Sequence, residues 1–327
     1  MAATLADVFS WESFGHLLKS GYDNLGIPSS DNESLYLDLV IYHASSDPLI
    51  FAIRAALFVA FICWFMSMAT GTHSWVDRLW SITPIFYTIH YTVRDMLYWP
   101  KGEPFHYLPR VYIATALIFA WGVRLTYNFH RKGGYSFDSE DYRWPYLANK
   151  IPMGIWFLFN LFFICLYQNL LIVAITVPVY TAWRTTLVQI EPLNWIDVLA
   201  TLLFIGGLTL ETMADEQQWK FQEAKRKAIA KKEVLTGDFK RGFLTQGLFK
   251  SVYLYSVASG YPTCTSWINP SIVGVVSLTL LFQVSTWLTE LMTSQKYPSY
   301  KQYQKTTSRF IPMPAGTSLD ELERKSQ

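Results

Sequence analysis

Hydrogen-bonding and ionisable side chains are costly inside an apolar helix, and three groups of them recur at helical spacing in this sequence. Tyr87, Tyr91 and Arg94 stand at i, i+4 and i+7 with His90 beside them, which puts two phenols and a cation on one helix face. Such a face can orient or protonate a carbonyl, so Tyr87 and Tyr91 are candidate catalytic phenols. Asn160, Tyr167, Gln168 and Asn169 fall within a single apolar run, where hydrogen bonds between helices are enough to account for them. In TLETMADEQQWKFQ, Glu211, Asp215, Gln218 and Gln222 repeat at i, i+4, i+7 and i+11. That stripe either rims the amide or ribose of a cofactor or is a solvated helix end whose acids pair with later lysines.

The elements that must hold these groups are long apolar helices. Of 327 residues, 51% are hydrophobic and 16% charged, against about 25% charged in soluble domains. The charge is concentrated between apolar blocks, as in a helical protein embedded in a bilayer. Spans are expected at Pro48 to Ala69, Leu79 to Leu97, Val111 to Tyr127, Met153 to Ala182, Trp195 to Met213 and Ile272 to Met292. A further apolar segment, Ser251 to Thr263, is too short to cross comfortably: it runs into Lys250 on one side and Pro262 on the other. The expected fold is therefore an all-α, multi-span membrane bundle of about six to seven transmembrane helices, one of them short. A polar N-terminal segment, 1–47, precedes the transmembrane domain, 48–314, and a flexible polar tail, 315–327, follows it.

Net charge is +2, too little to attract nucleic acid, and no basic stretch is interleaved with aromatics for base stacking. Cys63, Cys165 and Cys264 lack metal-ligand spacing and read as small buried hydrophobes, so neither a metal site nor a disulfide is expected. The acidic N-terminus does not read as a cleaved signal peptide. Basic residues close or follow the third span (Arg124 in its last turn, then His130, Arg131, Lys132) and follow the fifth (Lys220 to Arg241), which places both loops in the cytoplasm and the N-terminus in the lumen. The sequon Asn32-Glu33-Ser34 then falls on the glycosylated side. The expected partners are the lipid bilayer and a lipophilic small molecule.

Five stretches carry a resemblance: SWVDRLWSITPIFY from Ser74, WGVRLTYNFHRKGGY from Trp121, EDYRW from Glu140, ETMADEQQWKF from Glu211 and YPSYKQYQKTTSRFIP from Tyr297. In this order the chain resembles a family of membrane proteins whose C-terminal part is similar to steroid 5-alpha-reductase. The resemblance implies a helical bundle of the endoplasmic-reticulum type that binds NADPH on its cytoplasmic side and reduces a carbon–carbon double bond of a sterol or fatty enone. The candidate catalytic residues are Tyr87 and Tyr91, from their spacing, with Glu211; on the matching motifs the candidate cofactor residues are Arg124, Arg143, Asp215, Gln218 and Tyr303. The wider superfamily also contains a lipid-directed methyltransferase, so the fold does not fix the reaction.

The chain departs from the pattern at one junction. After Gly247-Leu248-Phe249 the resemblance implies a run close to Tyr-Ser-Arg-His-Pro-Asn-Tyr-Phe-Gly-Glu, yet Lys250 is followed directly by Ser251, and no histidine occurs after His130. Loss of roughly a dozen residues there explains both the absent motif and the short helix. The alternative to an enzyme is a non-catalytic membrane protein or a defective splice product. On sealed microsomes, the basic stretch from Lys220 to Arg241 is expected to be cleaved by external protease without permeabilisation; cleavage only after the membrane is opened would reverse the assigned orientation.

Overall fold

The structure is a computed structural model and describes residues 4–23, 46–98, 109–189, 191–231, 249–261, 267–297, 300–301 and 304. Tyr303, Cys264, the Asn32 sequon, the basic residues beyond Lys231 in the stretch up to Arg241 and the tail 315–327 lie outside them.

Among the described residues the regular structure is helical throughout. A short helix α1 (Leu5–Phe9) leads into α2 (Trp11–Asp23). Next comes α3 (Pro48–Thr70), which begins as its sequence dictates: the Asp47 carboxylate accepts from Leu49 N, and Pro48 sits in the first turn, where its missing N–H costs nothing. It ends on Gly71, whose φ of 71° is the left-handed conformation that closes a helix. The bundle continues through α4 (Thr83–Tyr98), α5 (Pro109–Arg131) and α6 (Arg143–Ala148). A nearly continuous run follows: α7 (Met153–Phe159), a π-helical stretch (Asn160–Tyr167) and α8 (Gln168–Ala174). The remaining helices are α9 (Val177–Thr186), α10 (Trp195–Lys231), α11 (Phe249–Ala258) and α12 (Ile272–Lys296).

Among the described residues four segments are long and apolar enough to cross a membrane: Pro48–Thr70, Met153–Thr186, Trp195–Ala228 and Ile272–Lys296. They make the chain an integral membrane protein of helical type. The expected total of six to seven spans rests in addition on α4, which has 16 residues, on α5, which is more polar, and on the short α11.

The chain divides into two compact units. The first comprises Met1–Phe204 with Phe249–Thr279, and the second Ile205–Leu248 with Leu280–Gln327. In the first, α4 and α5 pack as a close pair. Gly122 permits the approach, since a Cβ there would stand 2.5 Å from the Ser81 carbonyl oxygen. Gly274 does the same for α12, where a Cβ would fall 2.1 Å from the Ala174 carbonyl oxygen. The N-terminal segment, read from sequence as merely polar, contributes to this unit: Leu5, Val8 and Phe9 are buried and α1 packs on α9. Leu5 and Phe9, at i and i+4, supply an apolar stripe too short to register in a window sized for a span.

The short helix is also packed. Tyr255, Val257, Ala258 and Ser259 are buried, and α11 lies against α9. Its ties run to the beginning of α10 and the end of α9: Tyr255 Oη to Thr201 Oγ1 at 2.6 Å, Asn194 Nδ2 to the Ala258 carbonyl at 2.8 Å, and Ser259 Oγ to Thr185 Oγ1 at 3.2 Å. At 1.5 Å per residue, its ten residues reach about 15 Å, half of a hydrocarbon core about 30 Å thick. It therefore fills one half of the bundle, the half where α10 starts.

In the second unit α10 stays helical through the Glu211 stripe to Lys231. Neighbouring acids there pair along the helix, Glu216 with Lys220 at 3.8 Å and Glu223 with Lys227 at 3.0 Å.

One ion pair clamps the start of α5 to the start of α10. Arg110 donates to both Asp197 oxygens, at 2.7 and 2.8 Å, and to the Pro192 carbonyl at 3.0 Å. Both side chains are almost wholly buried. Removing one partner strands a buried charge, so Arg110→Met is expected to cost about 3–5 kcal/mol, while the double change Arg110→Met with Asp197→Leu recovers most of it. Thermal unfolding in detergent reads both; an unshifted midpoint for Arg110→Met would mean the pair is open to water.

Candidate functional site

Two polar constellations stand out in the first unit. The first is inside the bundle, built on α4 and faced by α3 and α9. Tyr87 and Tyr91 project one turn apart from α4 and are almost fully buried. The Tyr91 hydroxyl lies 3.2 Å from Thr176 Oγ1, and Thr176 donates to the Val173 carbonyl at 2.7 Å. A threonine hydroxyl has one proton, so with that proton on Val173 it accepts from Tyr91. The Tyr91 ring meets Tyr180 edge-on at 5.7 Å. Tyr180 in turn donates to Asp47 Oδ2 at 2.9 Å, and Asp47 Oδ1 caps α3 through Leu49 N at 2.8 Å. Burial raises the Asp47 carboxyl above its ordinary value, partly offset by the Leu49 N–H, the Tyr180 hydroxyl, Arg184 and Arg94. Arg94 donates to the Ser46 carbonyl at 2.9 Å and lies over the Trp183 ring at 5.7 Å. His90 stacks on Phe51 at 4.4 Å. Among the described residues no hydrogen bond reaches the Tyr87 hydroxyl.

The second constellation closes the end of the bundle where α3 stops and α7 begins. His73 Nδ1 lies 2.7 Å from Ser67 Oγ, and Trp156 Nε1 donates to His73 Nε2 at 3.1 Å. An indole N–H only donates, so Nε2 carries no proton and Nδ1–H points to Ser67. Ser67 Oγ also accepts from Asn160 Nδ2 at 3.0 Å, at the first residue of the π-helical stretch. Glu140 Oε1 takes the His73 backbone N–H at 2.8 Å. Beside it Arg143 is held to Asp141 by paired bonds of 2.8 and 2.7 Å, and Trp144 Nε1 donates to Asp77 at 2.9 Å. Burial opposes the charge on Arg143, but the Asp141 carboxylate more than compensates and holds the guanidinium above its ordinary value. Burial pushes the Asp77 carboxyl up. Arg78 gathers the carbonyls of Ser136, Phe137 and Ser139 at 2.9 to 3.2 Å, fixing the connection from α5 to α6.

Tyr87 and Tyr91 are thus brought together, as expected, and Arg94 and His90 stay beside them on α4. Arg143 sits in the end constellation, engaged by Asp141. Arg124 is half-buried on α5, and Glu211, Asp215 and Gln218 are half-buried on the part of α10 that belongs to the second unit. Asn160, Gln168 and Asn169 are spent on the bundle: Gln168 accepts from Trp80 Nε1 at 2.8 Å and Asn169 donates to the Cys165 carbonyl at 2.7 Å. Sequence reasoning missed His73, Asp77, Trp156 and Tyr180. Asp47 did carry a signal, an aspartate directly before a proline that opens an apolar run.

Residues 63–307 match a family model described as a protein of unknown function, DUF1295. The chain belongs to the DUF1295 family. It is also 31% identical over 302 residues to a protein of Schizosaccharomyces pombe described as uncharacterised, an alignment that covers 87% of this chain and 85% of the relative. No solved structure matches it. The DUF1295 match begins at Cys63 and so takes in the His73 constellation, the Tyr87 and Tyr91 phenols and the whole α10 stripe.

The His73 contacts carry a pH dependence. Burial lowers its affinity for a proton below the ordinary value of 6.5, against a smaller opposing pull from Glu140. A depressed folded-state value means that its contribution to stability is complete above 6.5 and is lost as pH falls through the folded value. Protonated Nε2 would confront the Trp156 N–H with a second donor. Thermal stability in detergent is expected to drop between about pH 7 and pH 5, and His73→Gln, which keeps an acceptor for Trp156, should flatten that part of the slope. An unchanged slope in His73→Gln would assign the titration to other groups.

Proposed function

We propose that the chain is a reductase-like member of DUF1295, built on the plan of NADPH-dependent membrane enzymes that saturate a carbon–carbon double bond in a lipophilic enone, and that as it stands it does not hold the cofactor. The observation that carries the first half is the pair of buried phenols on α4, where a neutral hydroxyl can donate to the carbonyl oxygen of a sterol-like or fatty enone. The resemblance of the five ordered stretches to the steroid 5-alpha-reductase C-terminal region supplies the reaction class. The resemblance points to the endoplasmic reticulum, and the basic loops accord with a lumenal N-terminus.

The second half rests on α11. A site for NADPH has to neutralise a diphosphate and a 2′-phosphate through several charge-assisted hydrogen bonds, each worth about 1.5–3 kcal/mol. The residues present do not fit that demand. The arginine, histidine and asparagine expected after Lys250 are absent, α11 covers only half the hydrocarbon depth, and Arg143 is engaged by Asp141. These observations favour a non-catalytic or incomplete product as the reading for this exact chain.

Loss of three such contacts takes a micromolar site, about 8 kcal/mol, into the millimolar range or beyond. Titrated with NADPH in detergent and followed by nicotinamide fluorescence, the chain as given should show no saturable binding below about 1 mM, whereas a version with the Arg-His-Pro-Asn element restored after Lys250 should saturate in the micromolar range. Tight binding by the unrepaired chain would place the cofactor site elsewhere. Failure of the repaired, folded chain to bind would overturn the reductase reading.

A further inference from the structure

We infer that α2 is an in-plane interfacial helix, docked on the end of the bundle with its open apolar edge seated in the headgroup boundary of the bilayer. The helix is two-sided. Projected at 100° per residue, Trp11, Phe14, Leu17 and Leu18 share one arc, while Glu12, His16, Lys19 and Ser20 share the other. Its apolar arc is only partly covered by protein: Phe14 and Leu17 are half-buried, but Trp11 is 51% and Leu18 39% exposed.

The height of α2 relative to the membrane follows from one contact. Arg184, buried in the last turn of α9, donates to Ser13 Oγ in the first turn of α2 at 2.8 Å. The apolar run Met153–Thr186 ends two residues beyond Arg184, so this hydrogen bond holds the first turn of α2 beside that end. The other span end in this region agrees. Asp47, one residue ahead of the span that begins at Pro48, bonds Tyr180, one turn before Arg184 on the same helix. The buried α1 ties the preceding turn to α9 as well. At that end an exposed tryptophan and leucine meet the mixed region of headgroups and upper acyl chains, where an indole and an aliphatic side chain are both favoured.

The occupant of this edge is lipid rather than protein. Ser13, at the border of the polar arc, faces Arg184, so Trp11 and Leu18 are directed away from that anchor. The polar arc carries Glu12 against Lys19, with Glu12 also 3.8 Å from His16, so it supplies no net basic charge with which to select anionic lipid. Seating by apolar area alone is therefore expected in a zwitterionic bilayer.

The test uses the full chain in phosphatidylcholine vesicles, with nitroxide labels on Leu18→Cys or His16→Cys in a Cys264→Ser background; Cys63 and Cys165 are buried, and the unsubstituted background serves as the blank. Power saturation with oxygen and with a water-soluble nickel chelate should give a ratio of oxygen to nickel accessibility several-fold higher at position 18 than at position 16. Equal, high nickel accessibility at both positions would put α2 in water. Shielding of position 18 from both reagents would mean that protein covers it, for example a second copy of the chain. Either outcome overturns the inference, and neither depends on whether the protein is a reductase.

Discussion

A bilayer interior offers no water to a polar group, so every hydroxyl, amide and charge carried into it must find its partner within the chain, and the arrangement of this bundle follows from where those partners are. The helices are joined pair by pair through short hydroxyl contacts. Thr92 meets Thr115 at 2.8 Å and Ser81 meets Thr126 at 2.7 Å between α4, or the turn before it, and α5; Tyr255 and Ser259 reach Thr201 and Thr185 to fix α11. Many of the same threonines also bond the carbonyl four residues back, as Thr92 does to Thr88 at 2.8 Å. Each such bond is worth only about 0.6–2 kcal/mol. Their effect is to fix which helix faces which, since apolar lipid gives no net reward for burying one leucine rather than another.

Helix length against hydrocarbon thickness is the second constraint, and the chain strains it in both directions. With 37 residues α10 is about 55 Å long, nearly twice the hydrocarbon core, so its later turns belong outside the apolar layer. This is where the sequence changes from Leu and Ile to Glu, Asp, Gln and Lys without leaving the helix. By contrast α11 has ten residues and occupies only the half of the bundle next to Thr185 and Asn194. Its C-terminal end reaches the start of α10 and the end of α9.

Much of this was legible in residue types. The apolar blocks at Pro48, Met153, Trp195 and Ile272 named the membrane helices because length and hydropathy are properties of a single segment. The Tyr87 and Tyr91 spacing named a shared face for the same reason. Partners remote in sequence were not legible: nothing in the neighbourhood of Asp47 points to Tyr180, 133 positions away. Likewise the His73 to Trp156 bond joins a loop to a helix across 83 positions. The π-helical stretch was also invisible, because it is as apolar as the α-helical segments on either side of it; Phe159, Phe163 and Tyr167 stack along it with centroids at 4.8 and 5.4 Å. The α1 contacts escaped because five residues are too few for any periodic signal.

The hydrogen-bond directions also rank the phenols. Tyr180 has its proton on the Asp47 carboxylate, an acceptor that a neutral ligand oxygen does not displace without stranding a buried charge. Tyr91 has its proton on Thr176, whose own proton is committed to the Val173 carbonyl. To serve a ligand, Tyr91 would have to leave a hydroxyl that then loses an accepted bond, a smaller cost but still a cost. Tyr87 stands one turn away on the same face and has no such commitment among the described residues. The two phenols, identical in sequence terms, separate into one whose hydrogen bond is spent and one whose hydroxyl has no such commitment among the described residues, only because Thr176 lies opposite Tyr91.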